Sequence, residues 1–109
     1  MKRIFAFGDD FSRFMEKLSY KERSKINRAL LLMETEDRIP HHYIKYLRDE
    51  IYELRINYGH NEFRIMFIYD GNAIVILLNA FRKKTQKTPR LEIDRAIRLK
   101  NEYYEYKGR

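Results

Sequence analysis

The chain has 109 residues, 44% of them hydrophobic and 36% charged, which suits one domain (residues 1–109) that buries its core without staples. It contains no cysteine, which excludes a disulfide framework, a thiol nucleophile and a thiolate metal site. The formal net charge of +7 favours an anionic partner, nucleic acid foremost, and no apolar run of about 18 residues is present to cross a membrane. The lack of cysteine also makes the cytoplasm the expected compartment, and the opening Met1-Lys2-Arg3-Ile4-Phe5 lacks the apolar run of a signal peptide.

Residues 2–7 are β-prone and end at Gly8, predicting an edge strand. Asp9 or Asp10 then caps a helix whose apolar positions Phe11, Phe14, Met15 and Leu18 follow i, i+3, i+4, i+7 spacing. Ser19 and Glu22 form a capping-box pattern that opens a second helix, burying Ile26, Ala29, Leu30 and Met33. Such a helical hairpin needs an apolar surface to pack on. Pro40 disfavours helix at Ile39 and starts a loop. The adjacent His41 and His42 point in different directions, with no acid or cysteine at ligand spacing, so they read as loop residues and no metal site is expected. Residues 45–49 lead into the sheet.

Three consecutive strands follow, at residues 51–58, 62–69 and 73–81. Asp70-Gly71 between apolar runs signals a tight hairpin with a two-residue loop, pairing Tyr69 with Asn72, and Gly59-His60-Asn61 signals a second turn. Alternation then predicts two faces. One is a core of Tyr52, Leu54, Ile56, Tyr58, Phe63, Ile65, Phe67, Tyr69, Ile74, Ile76 and Leu78. The other carries Glu53, Arg55, Asn57, Glu62, Arg64, Asn79, Phe81 and Lys83, with Met66, Ile68, Val75 and Leu77 at its apolar end. Thr88 and Pro89 suit the N-cap and first position of a last helix. That helix sets Ile93, Ala96, Ile97 and Tyr104 on roughly one side, with Leu99 and Tyr103 nearby. The expected order is β–α–α–β–β–β–α, an α+β domain with an antiparallel sheet, the helical hairpin on one face and the C-terminal helix closing over the other.

The polar face carries the chemistry. Arg55, Arg64 and Lys83 come from three neighbouring strands and converge near an exposed ring, Phe81. Guanidinium groups clasp phosphate bidentately, lysine adds a compact charge and an aromatic ring stacks on a base, a combination that suits single-stranded RNA. Arg64 interrupts an otherwise apolar strand; as a purely structural residue it would face solvent and pair with Glu53 or Glu62. From Phe81 to Arg90 there are five basic residues and no acid, a run that reads equally as a solvated loop. Tyr103, Tyr104 and Tyr106 read as packing at a helix end.

The stretches Tyr52-Glu53-Leu54-Arg55, Phe63-Arg64-Ile65, Tyr69-Asp70-Gly71, Ile74–Leu78 and Phe81-Arg82-Lys83-Lys84-Thr85-Gln86-Lys87-Thr88-Pro89 resemble the HigB-like branch of the RelE/ParE toxin superfamily over nearly the whole chain. The resemblance implies the RelE/ParE-like fold and a type II toxin. Such a toxin enters the ribosomal A site, cuts mRNA without metal or small-molecule cofactor, and is restrained by a cognate antitoxin, commonly a helix-turn-helix protein. It further implies that Arg64 holds the scissile phosphate, that Arg55 is a basic residue of the preceding strand, and that Lys83 or Lys84 fills the basic position after the last strand. Phe81 would stack on a base, with Arg82, Lys87 and Asn79 among the RNA contacts. Relatives often carry lysine where Glu53 stands, histidine where Asn79 stands, and tyrosine near the start of the last helix. Glu53 is therefore either a general base or the ion-pair partner that positions Arg55, and the acid is unassigned. Two other functions share the fold: a ParE-type inhibitor of a protein such as DNA gyrase, and a non-catalytic RNA-binding module.

Overall fold

Alternating apolar residues between positions 51 and 82 fold into a meander of long strands, and both of its faces are covered by helix. In the computed structural model, which describes residues 1–108, the chain runs β1 (Arg3–Ala6), α1 (Asp10–Glu16), α2 (Tyr20–Thr35), β2 (Ile44–Arg48), β3 (Ile51–Tyr58), β4 (Asn61–Asp70), β5 (Ile74–Arg82) and α3 (Arg90–Lys107). The sheet order is β1-β5-β4-β3-β2. The α+β class and the flanking helices are as expected; the sheet differs in two respects. First, β1 is indeed an edge strand but lies parallel to β5, so the sheet is mixed. The α1–α2 hairpin is the crossover that carries the chain from one sheet edge to the other. Second, residues 45–49 do more than lead in: most of them belong to β2, an additional edge strand antiparallel to β3. Its turn, Asp49 and Glu50, has φ of 50° and 68°, the left-handed geometry that Asn-Gly usually fills. Two acidic residues there give no turn signal.

The helical hairpin follows its local code. Ser19 and Glu22 cap each other, Glu22 N donating to Ser19 Oγ (3.2 Å) and Ser19 N to Glu22 Oε1 (2.9 Å). The Ser19 amide bond is the main reason that the Glu22 carboxyl is held below its ordinary range. Ile26 and Met33 are fully buried, with Ala29, Leu30, Phe11, Phe14 and Met15 packed around them against Leu54, Ile56, Phe63, Ile65, Phe67, Val75 and Leu77. On the opposite face, Ala96 and Leu99 of α3 close over Ile51, Met66, Ile68, Ile76 and Leu78. Each large apolar side chain so buried contributes roughly 1.5–3 kcal/mol.

The first half of β5 is inverted relative to the sequence reading: Val75 and Leu77, not Ile74, Ile76 and Leu78, lie under the helical hairpin. Asp70 stays in the ladder opposite Ile74, leaving residues 71–73 as a three-residue loop with Gly71 at φ 73°. One added loop residue turns every following side chain to the other face. A bulge then restores the parity. Ile65 is opposite Ala80 while Phe67 is opposite Leu77, so Leu78 and Asn79 together face Met66 and both point towards α3. Beyond the bulge, Phe81 lies beside Arg64 as alternation requires. The two offsets cancel at the Arg64–Phe81 row.

The α3 start and stripe also differ from expectation. Pro89 occupies the N-cap position and the helix begins at Arg90. The Thr88 hydroxyl is spent elsewhere, on Glu53. Tyr103 packs inward, its ring edge-on to Phe7 at 5.5 Å, whereas Tyr104 stays exposed.

Candidate functional site

The site is set by one tight turn. Gly59 (φ 61°) and His60 form a two-residue loop with Tyr58 opposite Asn61, which places Arg55 directly opposite Arg64, and Arg64 opposite Phe81. The next row holds Asn57 opposite Glu62, whose carbonyl accepts from Lys83 N (2.7 Å) and so carries the ladder past β5. These rows share a face with α3, at the end of the sheet beyond its apolar cluster.

Two arginines directly opposite each other repel. Glu53 resolves the conflict from beneath. Its Oε1 accepts from Arg55 Nε (3.1 Å) and lies 3.6 Å from Arg64 Nε, and its Oε2 accepts from the Thr88 hydroxyl. Arg64 also donates from Nη1 to the Phe63 carbonyl (3.0 Å) and from Nη2 to Glu62 Oε1 (3.3 Å). Glu53 is completely buried and Arg64 is 4% exposed. The Arg55 side chain is 32% exposed and that of Glu62 is 49% exposed. Arg64 Nε is buried without a hydrogen-bond partner among the described residues. The result is a buried cation with an unsatisfied donor, beside a more accessible cation, covered in part by a half-exposed carboxylate.

The sequence-predicted residues separate into groups. Glu53, Arg55 and Arg64 are in contact, with Phe81 and Lys83 in line on the same face. Glu53 is the ion-pair partner of Arg55, and it serves Arg64 as well. Arg64 is not the surface-facing side chain of the structural alternative, although both carboxylates named for it are its partners. Phe81 is partly buried against the α3-side cluster, a more enclosed ring than the exposed one expected. Arg82 goes to the other face, above the Phe63 ring at 5.1 Å and 3.4 Å from Glu22 Oε2. Asn79 is fully buried, its Nδ2 donating to the Glu92 carbonyl and Oε1 (both 3.0 Å), so it braces the start of α3 from a position closed to solvent. Lys84 and Lys87 are exposed on the segment joining β5 to α3. Sequence reasoning missed Thr88 as a site member. Its bond spans 35 positions, and its place before Pro89 points to a cap instead.

Residues 13–101 match the family model described as phage derived protein Gp49-like (DUF891), and the chain belongs to that family. Over 54 residues it is 43% identical to the proteins named probable endoribonuclease HigB1 from two strains of Mycobacterium tuberculosis. The matched segment is 50% of this chain and 42% of each relative, so the chain aligns with less than half the length of these relatives.

Proposed function

We propose that this Gp49-like chain is the toxin of a toxin–antitoxin pair, of the HigB-like type, and that it cleaves mRNA on the ribosome. The observation that carries the reading is the Arg55–Arg64 pair locked against buried Glu53 at the open end of the sheet. The name of the tuberculosis relatives, probable endoribonuclease, supports it. In the reaction the 2′-hydroxyl oxygen attacks the adjacent phosphorus and the 5′-oxygen leaves. The 2′-proton is lost and the leaving oxygen gains one, giving a 2′,3′-cyclic phosphate and a free 5′-hydroxyl, a balance that calls for no metal or cofactor.

A scissile phosphate displaces the Glu62 carboxylate from Arg64, and the freed guanidinium together with Arg55 stabilises the extra negative charge of the phosphorane. Arg64 is already fixed by Glu53 and the Phe63 carbonyl, so little ordering cost falls on the transition state. Glu53, buried, hydrogen-bonded by Arg55 and Thr88 and ion-paired with Arg64, acts as a positioning residue and not as the base. Lys83 or Lys84 adds charge at the rim, and the edge of Phe81 offers a stacking surface. Lys87 lies on the same basic segment. Few good acid–base groups are at hand, which suits a ribosome that itself positions the message. A helix-turn-helix antitoxin in the cytoplasm is the expected restraint.

The test is mRNA cleavage in a reconstituted translation system, with and without ribosomes, comparing wild type, Arg64→Ala and the more exposed Arg55→Ala. Cutting that needs ribosomes and falls by roughly 10²–10³-fold on loss of Arg64 is expected. Arrest of translation on uncut mRNA, or gyrase inhibition, would sink the nuclease reading.

A further inference from the structure

Beside its core stripe the helical hairpin carries a second stripe, which shares only Ala29 with the core. Lys25, Arg28, Ala29 and Leu32 follow i, i+3, i+4, i+7 spacing along α2, beside the buried stripe of Ile26, Leu30 and Met33. This second stripe lines a cleft of about 620 Å³, whose floor includes Leu54 and Ile56 and which opens onto Arg55 and Arg64. The cleft exists because β2 stops short. β2 pairs with β3 only as far as Leu54, so the outer edge of β3 beyond it is unpaired by strand. The loop that follows α2 forms the remaining wall and is tied down by Arg55 N donating to the Tyr43 carbonyl (2.7 Å). His42 and Tyr43, on that loop, both line the cleft, their ring centroids 4.2 Å apart.

The arginine on the rim of this cleft differs from those of the other basic concavity, although two lysines there, Lys17 and Lys84, also lack a carboxylate among the described residues. In the other basic concavity, between α1 and α3, Arg13, Arg82, Arg95 and Arg98 each face a carboxylate: Asp9, Glu22, Asp10 and Glu102 respectively. Lys25 and Arg28 have no carboxylate partner among the described residues, although both are exposed on the rim of an apolar floor. Aromatic rings, an apolar floor, and two unneutralised cations one helical turn apart match a nucleotide: a base to stack and a phosphate to neutralise.

We propose that this cleft is a nucleotide subsite of single-stranded RNA. It takes the base next to the phosphate held at Arg55 and Arg64, stacked at Tyr43 and His42, with Lys25 and Arg28 on the following backbone phosphate. The subsite rests on the proposed RNA-cleaving function and adds to it the residues that select where the strand is cut. All the positions to be changed are exposed, so their variants keep the core.

The experiment compares wild type with Lys25→Ala/Arg28→Ala and with Tyr43→Ala in two assays. One is fluorescence anisotropy with a short, labelled 2′-O-methyl RNA that cannot be cut; the other maps cut positions on mRNA in reconstituted translation. The double variant should bind about tenfold more weakly at low salt, with the slope of log affinity against log salt reduced by about 0.7, the contribution of one single-strand phosphate contact. Tyr43→Ala should spread the cuts over more sequences. Variants that bind and cut as wild type does would overturn the subsite and leave the nuclease standing. A wild type that binds but never cuts, with binding lost in the variants, would leave the subsite standing and remove the nuclease. Absence of both binding and cutting in the wild type would remove both. Unchanged RNA behaviour with lost antitoxin binding would assign the cleft to a protein partner and overturn the proposal.

Discussion

Two carboxylates on one sheet tie opposite ends of the C-terminal segment to it, and they do so with different balances of charge. At the hairpin between β4 and β5, Asp70 accepts from the Tyr103 hydroxyl (2.5 Å) and from Lys107 Nζ (2.7 Å), fastening the end of α3. One acid meets one cation and one neutral donor, and the group is complete. At the other end, Glu53 accepts from Thr88 just before α3 and faces two guanidiniums. Arg64 then needs a second carboxylate, and the one it finds, Glu62, is half exposed and replaceable. The first arrangement is a lock. The second has the same parts plus an excess of donors, the feature on which the proposed phosphate contact rests.

Removing the acid at each end separates the two. Glu53→Ala should have the largest effect, because it leaves Arg64 buried without its central counter-charge: a loss of about 3–5 kcal/mol is expected, read as a lower urea midpoint, with cleavage lost as well. If stability were unchanged, Glu53 would not be holding the arginines, and the contrast with Asp70 would collapse. Thr88→Val keeps the shape and removes one donor from a buried carboxylate. About 1–3 kcal/mol should be lost, and cleavage should fall because the basic segment is no longer tethered over β3.

Tyr103→Phe probes the lock alone. It should cost about 1–2 kcal/mol, towards the low end for a bond to a charge because solvent reaches this group, with cleavage by the folded protein unaltered. Loss of activity in the folded Tyr103→Phe protein would show that the two ends are coupled. The lock also has a pH signature. Lys107, then Tyr103, hold the Asp70 carboxyl below its usual 3.8, so its contribution is full above that value and is lost as pH falls through the lowered one. Burial, then the bond to Asp70, push the Tyr103 hydroxyl from 10.0 up to about 12, so its contribution is full below pH 10 and is lost between there and about 12. Asp70→Asn should flatten the acid limb of stability measured by urea unfolding.

How far the sequence could be read depended on the range of the interactions involved. The capping box at Ser19 and Glu22, the stripe through Ile26 and Met33 and the Gly59-His60 turn join neighbours a few residues apart, and each formed as its spacing implies. The facing of Arg55 and Arg64 follows from that turn, so the centre of the site was legible. The loop after Asp70 was not. A two-residue turn suits Asp70-Gly71 locally, but Asp70 is held in the ladder by side chains 33 and 37 positions later, and the loop lengthens to fit. Asn79 illustrates the same limit, since alternation placed it on the correct face but not beneath Glu92.

The sequence by itself determined the α+β class, the helical hairpin and its core stripe, the three-strand meander and the Arg55–Arg64 row. These depend on periodicity and on turns whose geometry is written in adjacent residues. Tertiary structure alone decided the parallel β1, the edge strand β2 with its acidic turn, the inversion and bulge of β5, the burial of Glu53 under two arginines and Thr88, and the cleft left where β2 ends. Each of these is settled by competition among partners far apart in the chain, which no local pattern records.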